Sequence, residues 1–148
     1  MSYKPILALY SLWNGLYGEK LVKFLDGACG TNPPEYSLQI GVITVITAVI
    51  FCLIFYFPMA SNDLYARKYY LVVLGLNCLA AFITAQVVLN SALNSKYICD
   101  TYKFGGGSIF IFSFVNVIYA LLAFLVASLI LKRYGSSNAR HIPFNFKK

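Results

Sequence analysis

FGGGSIFIFSFVNVIYALLAFLVASLIL, residues 104–131, contains no Asp, Glu, Lys or Arg. The stretches Tyr36–Asn62 and Tyr69–Ser95 are uncharged as well. Each of the three exceeds the roughly 20 residues that a helix needs to cross a bilayer. The sequence therefore predicts an all-α integral membrane protein whose transmembrane helices occupy residues 38–58, 69–93 and 108–131.

The composition agrees with this fold class. The chain has 148 residues, of which 59% are hydrophobic and 11% charged, whereas about 25% of an ordinary soluble domain is charged. We therefore expect a single membrane domain over residues 1–148, with lipid as its solvent.

The distribution of Lys and Arg predicts the orientation. The basic tail, residues 132–148, contains five cations, and the loop between the first two spans adds Arg67 and Lys68; the tail residues are Lys132, Arg133, Arg140, Lys147 and Lys148. The N-terminal residues and the loop 94–108 are close to neutral. Because basic loops stay in the cytoplasm, the C-terminus should be cytoplasmic and the N-terminus outside, in a bacterial inner membrane or a plasma membrane.

Two cysteines fall in segments predicted to lie outside, where disulfides persist. We predict a Cys29–Cys99 disulfide, and the alternative is a pair of free thiols more than about 7 Å apart. Cys52 and Cys78 lie within spans and are interpreted as small packing residues.

Residues 5–25 are partly apolar but too interrupted for a comfortable fourth span. At 100° per residue, one face collects apolar side chains and the other is polar or small; the apolar side chains are Ile6, Leu9, Tyr10, Trp13, Leu16, Tyr17 and Phe24. We predict an amphipathic helix along the outer membrane surface. The alternative is a short or re-entrant crossing from Ile6 to Gly18.

Polar residues in the second span form two groups. Asn77, Thr84 and Ser91 recur every seven residues, and Gln86 and Asn90 share another face. An amide in hydrocarbon is costly without a partner. Each group should therefore contact another helix, another subunit or water, which favours a homo-oligomer.

The third span carries a narrow stripe of small residues with one amide: Asn116, Ala120, Ala123 and Ala127. Such a surface is typical of close helix packing in lipid. The stripe is interpreted as a contact between subunits or, equally, as a contact within the protomer.

The sequence lacks the groups that enzymes and active transporters need. Its single histidine, His141, lies in the tail, and no carboxylate lies within a span. We therefore predict no catalytic residue, metal site or cofactor, and proton-coupled transport is disfavoured.

A passive pore needs only a polar lining from several copies and a hydrophobic gate. Asn77, Thr84 and Ser91 are one candidate lining, and Gln86 with Asn90 is the other; interhelical hydrogen bonding is the alternative role for both. The basic tail could hold a cytoplasmic protein or an anionic ligand such as a lipid, nucleotide or oligonucleotide.

The leading functional hypothesis is a small oligomeric channel or membrane-permeabilising effector in a bacterial toxin or phage-defence role, gated by a cytoplasmic partner or ligand. The competing hypotheses are a non-conducting scaffold subunit of a larger membrane complex and an immunity-type inhibitor within the bilayer.

Overall fold

A computed structural model describes residues 5–26, 35–57, 66–94 and 104–134. These residues are helical and include no strand. The helices are α1 Pro5–Ser11, α2 Asn14–Tyr17, α3 Glu19–Leu25, α4 Tyr36–Tyr56, α5 Ala66–Leu93 and α6 Gly106–Leu131.

The three long helices confirm the predicted membrane architecture. Helices α4 and α6, and the part of α5 from Lys68 to Leu93, are each long and apolar enough to cross a bilayer. Only 33%, 22% and 39% of the most apolar windows of α4, α5 and α6 are buried inside the protein. Most of each span therefore needs lipid or another protein around it, and α5 is covered least.

The N-terminal segment, residues 5–26, has three short helices where one amphipathic helix was predicted. A turn at Leu12 and Trp13 separates the first two helices. Gly18, with φ +93°, separates the second from the third, and this left-handed conformation favours glycine because a Cβ would clash there. One continuous helix is therefore interrupted at two points.

The described residues belong to two compact units. The first unit contains residues 5–26, 35–43, 82–94 and 104–117, and the second contains residues 44–57, 66–81 and 118–134. In the first unit the N-terminal segment packs on the spans through aromatic rings. Tyr10 and Tyr17 lie 4.9 and 5.4 Å from Phe112, measured between ring centroids.

The core of the second unit is built from side chains of all three spans: Ala48, Cys52, Phe55, Tyr56, Tyr70, Val73, Phe124 and Ala127. Its aromatic rings meet edge to face or tilted. Phe55 and Tyr70 are 5.2 Å apart between ring centroids, and Tyr70 and Phe124 are 5.4 Å apart. These arrangements suit the quadrupoles of the rings.

Several predictions concern residues outside the described ranges. The Cys29–Cys99 disulfide is one, and it stays a prediction. Most of the basic tail, including Arg140, Lys147 and Lys148, lies outside as well.

Candidate functional site

The predicted stripe of Asn77, Thr84 and Ser91 is not a uniform polar surface. Asn77 is fully buried, Thr84 is half-buried and Ser91 is exposed. Seven-residue spacing places the three on one stripe of α5, but the cover that the protein provides decreases along it. The stripe therefore does not expose one continuous polar lining.

Asn77 lies inside the second unit. Its Nδ2 donates to the backbone oxygen of Ala120 in α6 over 3.2 Å. Its Oδ1 is buried and accepts no hydrogen bond from the described residues. Of the two roles predicted for Asn77, pore lining and interhelical contact, this geometry is that of an interhelical contact within one protomer.

The second group of polar residues is continuous and exposed. Gln86, Asn90 and Asn94 follow one another at intervals of four residues, which places them on one face of α5, and we call them the amide strip. Asn90 Nδ2 donates to the backbone oxygen of Gln86 over 2.8 Å and to its Oε1 over 3.3 Å. Asn94 Nδ2 donates to the backbone oxygen of Asn90 over 3.4 Å. Each amide is thus oriented by the preceding one.

The amide strip keeps hydrogen-bonding capacity on its outer side. Among the described residues, Gln86 Nε2 donates to no acceptor and Asn90 Oδ1 accepts from no donor. Gln86 precedes Leu93 by seven residues, and at 1.5 Å per residue it lies about 10 Å inside the end of the span. The strip therefore brings an unused donor and an unused acceptor from the end of the helix toward the hydrocarbon.

Apolar side chains flank the amide strip on the same exposed face. Ile83 is 50% exposed and Val87 is 57% exposed. Asn94 was not recognised from the sequence because it follows the last residue of the predicted span. Its spacing of four residues from Asn90 is the signal that identifies it.

The predicted packing stripe of the third span is turned into the protein. Asn116 and Ala120 are fully buried, Ala127 is 8% exposed, and Ala123 is partly buried against the core of the second unit. In the first unit, Asn116 Oδ1 accepts a 2.6 Å hydrogen bond from the Tyr10 hydroxyl. These contacts agree with the second interpretation of the stripe, a contact within the protomer.

A buried polar cluster around Ser128 was not recognised from the sequence. Ser128 Oγ lies 3.5 Å from both Cys52 Sγ and the Tyr70 hydroxyl. Cys52 Sγ in addition donates to the backbone oxygen of Phe124 over 3.4 Å. The packing role predicted for Cys52 is therefore extended by hydrogen bonds that link the spans of the second unit.

Three described basic residues lie at the cytoplasm-predicted ends of the spans. Lys68 and Arg133 are exposed, and Lys132 is half-buried. Within the described ranges, no group of three His, Cys, Asp or Glu side chains is placed to hold a metal ion.

Comparisons with protein-family models, with curated proteins and with solved structures found no match to this chain.

Proposed function

We propose that the protein forms an oligomeric membrane channel in which the amide strip of α5 faces the water path. The observation that carries this proposal is the exposure of the strip: within the span Asn90 is exposed beside the half-buried Gln86, and the exposed Asn94 follows the end of α5. A polar group without a partner in hydrocarbon costs several kcal/mol. The strip therefore needs water or another polar surface, and a ring of copies around a wet axis supplies both.

The chemistry of the strip determines which solutes such a path admits. Carboxamides present a donor and an acceptor without net charge, so the lining offers partial charges of both signs. We expect weak discrimination between small cations and anions. Ile83 and Val87 beside the strip supply the apolar surface that a pore can use to close by dewetting.

The low burial of α5 supports its proposed position next to the axis of the ring of copies. It is the least buried of the three spans, whereas Asn77 and Asn116 are held by hydrogen bonds within the protomer. Of the three spans, α5 therefore has the largest share of its surface free to contact other copies. The expected arrangement is a ring in which each copy contributes one amide strip.

The biological setting is a further part of the proposal. With the basic residues Lys68, Lys132 and Arg133 on the cytoplasmic side, the strip lies near the outer end of its span. A leak across a bacterial inner membrane would harm the cell, which suits a permeabilising effector in toxin or phage defence. A cytoplasmic protein or an anionic ligand at the basic tail would then control opening.

The first experiment measures current across planar bilayers that contain the purified protein. Gln86→Leu should lower the single-channel conductance because it removes polar groups from the path. Gln39→Leu is the matched control, since Gln39 is an exposed amide on α4 and its replacement should leave the conductance unchanged. Persistent absence of current from a stable oligomer would contradict the channel and favour the scaffold.

A further inference from the structure

The outward face of the N-terminal segment is a row of large apolar side chains. Leu9, Leu12, Trp13 and Leu16 are exposed by 49%, 75%, 37% and 56%. Their spacing of three or four residues places them on one side of the segment. No Asp, Glu, Lys or Arg occurs between Pro5 and Gly18. Apart from Asn14, whose side chain is also exposed, this face has the composition of a surface that contacts acyl chains.

The starts of α4 and α6 lie at one level, which gives a reference for depth. The ring of Phe24 stacks on Tyr36, the first residue of α4, with ring centroids 5.1 Å apart. The same ring lies 5.0 Å from that of Phe104, two residues before α6 begins. Phe24 thus marks the rim of the first unit.

From this rim the N-terminal segment extends inward along the spans. Tyr17 contacts Phe112, which lies six residues, or about 9 Å, beyond the first residue of α6. Tyr10 contacts the same ring and donates to Asn116, which lies ten residues, or about 15 Å, beyond that residue. The hydrocarbon core is about 30 Å thick. The hydroxyl of Tyr10 therefore reaches the level of the bilayer interior.

The N-terminal end of the segment, at Ile6, lies closer to the rim than the hydroxyl of Tyr10 does. A Cβ built on Gly41 would come within 2.6 Å of Ile6 Cγ2, so the two residues are in close contact. Gly41 lies five residues, or about 7.5 Å, beyond the first residue of α4. The path from Phe24 through Tyr10 to Ile6 therefore descends and then turns back.

Within residues 5–26, the charged residues all follow Gly18, on the rim side. Glu19, Lys20 and Lys23 are all exposed and belong to α3, which ends beside the rim. The left-handed backbone at Gly18 separates this charged helix from the uncharged residues 5–17. The boundary between charged and uncharged residues agrees with the boundary between headgroups and acyl chains.

We propose that residues 5–17 form a re-entrant wedge in the leaflet next to the N-terminal ends of α4 and α6. Its inner face is anchored through Tyr10 and Tyr17, and its outer face of four apolar side chains contacts the acyl chains of that leaflet. The wedge does not depend on whether the protein conducts. It makes the first unit sensitive to the packing of one leaflet, because the lipid there contacts the same segment that holds Asn116.

Trp13 is the single tryptophan of the chain and reports directly on this face. We would reconstitute the protein into phosphatidylcholine vesicles with bromines at defined acyl positions and measure quenching, and repeat the measurement with aqueous iodide. Two reference proteins carry Trp13→Phe with a tryptophan elsewhere. Ile118→Trp marks a lipid-exposed position near the middle of α6, and Tyr134→Trp marks the exposed residue beyond its end.

The wedge predicts that Trp13 behaves like the Ile118→Trp reference. Mid-chain bromines should cause the same fractional loss of fluorescence in both, and iodide should quench neither as strongly as the Tyr134→Trp protein. Quenching by iodide to the level of Tyr134→Trp would overturn the wedge. Strongest quenching by bromines near the headgroups would overturn the re-entrant path in favour of a surface helix. Protection from both quenchers would overturn the contact with acyl chains as well, because it would show that protein, such as a second copy, covers this face.

Discussion

In the second unit the side chains of Asn77 and Ser128 are fully buried, whereas the first unit leaves Asn90 and Asn94 on its surface. The first unit also has a buried amide, Asn116, so the comparison is between buried amides and the exposed strip. Buried amides link helices through hydrogen bonds within the protein, but exposed ones in a span require water or another polar partner. Buried polar groups therefore hold the helices together in both units, and the exposed strip of the first unit is the surface that our proposal assigns to the water path.

Phe124→Ala tests the structural role of the second unit and should have the largest effect. Phe124 is fully buried in its core, and removal of such a ring typically lowers the free energy of unfolding by about 3–5 kcal/mol. The same change at Phe114, which is 52% exposed and contacts the rings of Phe82 and Phe110, should have an effect of about 1 kcal/mol. Unfolding by SDS in mixed micelles measures both; equal losses would remove the distinction between the two units.

Gly41→Ala tests the contact that holds α1 in the first unit. The new methyl group would meet Ile6 Cγ2, and such overpacking typically destabilises by about 1–3 kcal/mol. Gly75→Ala is the control, because nothing lies within 4 Å of a Cβ at Gly75 and alanine favours the helix. Adding Ile6→Ala to Gly41→Ala should relieve the clash. If the double variant is as unstable as Gly41→Ala in the same unfolding assay, α1 does not pack on α4 as described.

Tyr10→Phe sharpens the role of the N-terminal segment with a smaller change. It removes the 2.6 Å hydrogen bond to buried Asn116, and hydrogen bonds between membrane helices contribute on average about 0.6 and at most about 1.7 kcal/mol. Tyr134→Phe alters an exposed tyrosine and should leave the unfolding curve unchanged. A Tyr10→Phe protein that is as stable as the Tyr134→Phe control would mean that the hydrogen bond to Asn116 does not help to hold the segment.

Asn90→Leu should have the smallest effect on stability. The side chain of Asn90 is exposed and, within the described residues, bonds only to Gln86, so we expect a change within about 0.5 kcal/mol in the unfolding of the monomer. Crosslinking in vesicles measures self-association. If the strip lies between copies, the free energy of association should change by more than the free energy of unfolding. A destabilised monomer would instead assign the strip a structural role.

The sequence was sufficient for the three spans because absence of charge over a bilayer thickness is a property of composition. It did not distinguish the two sides of the N-terminal segment. Tyr10 and Tyr17 are buried while Leu9 and Leu16 are exposed, yet all four were placed on one apolar face. Protein interior and acyl chains are both apolar, so helical periodicity cannot separate them in a membrane protein. The turn at Leu12 and Trp13 further changes the angles that an unbroken helix would give these side chains.

The candidate site was only partly predictable for a related reason. Gln86 and Asn90 were identified as a polar face, but nothing in the sequence distinguished them from Asn77, which has the same functional group. An amide that is buried can form a hydrogen bond between helices, as Asn77 does, whereas an exposed one belongs to the surface strip. Which amides are buried depends on how α5 packs against α6. Ser128, Cys52 and Tyr70 were likewise too far apart in sequence for their cluster to be recognised.

The most direct test of the channel is the reversal potential of Gln86 variants in planar bilayers under a salt gradient. A fixed charge in a pore attracts ions of the opposite sign. If the amide strip faces the water path, Gln86→Glu should therefore shift the reversal potential toward the equilibrium potential of the cation. Gln86→Lys should shift it toward the equilibrium potential of the anion. The same pair of substitutions at Gln39 should leave it unchanged. Conductance whose ion preference is the same in Gln86→Glu, Gln86→Lys and the unaltered protein would contradict a lining by the amide strip.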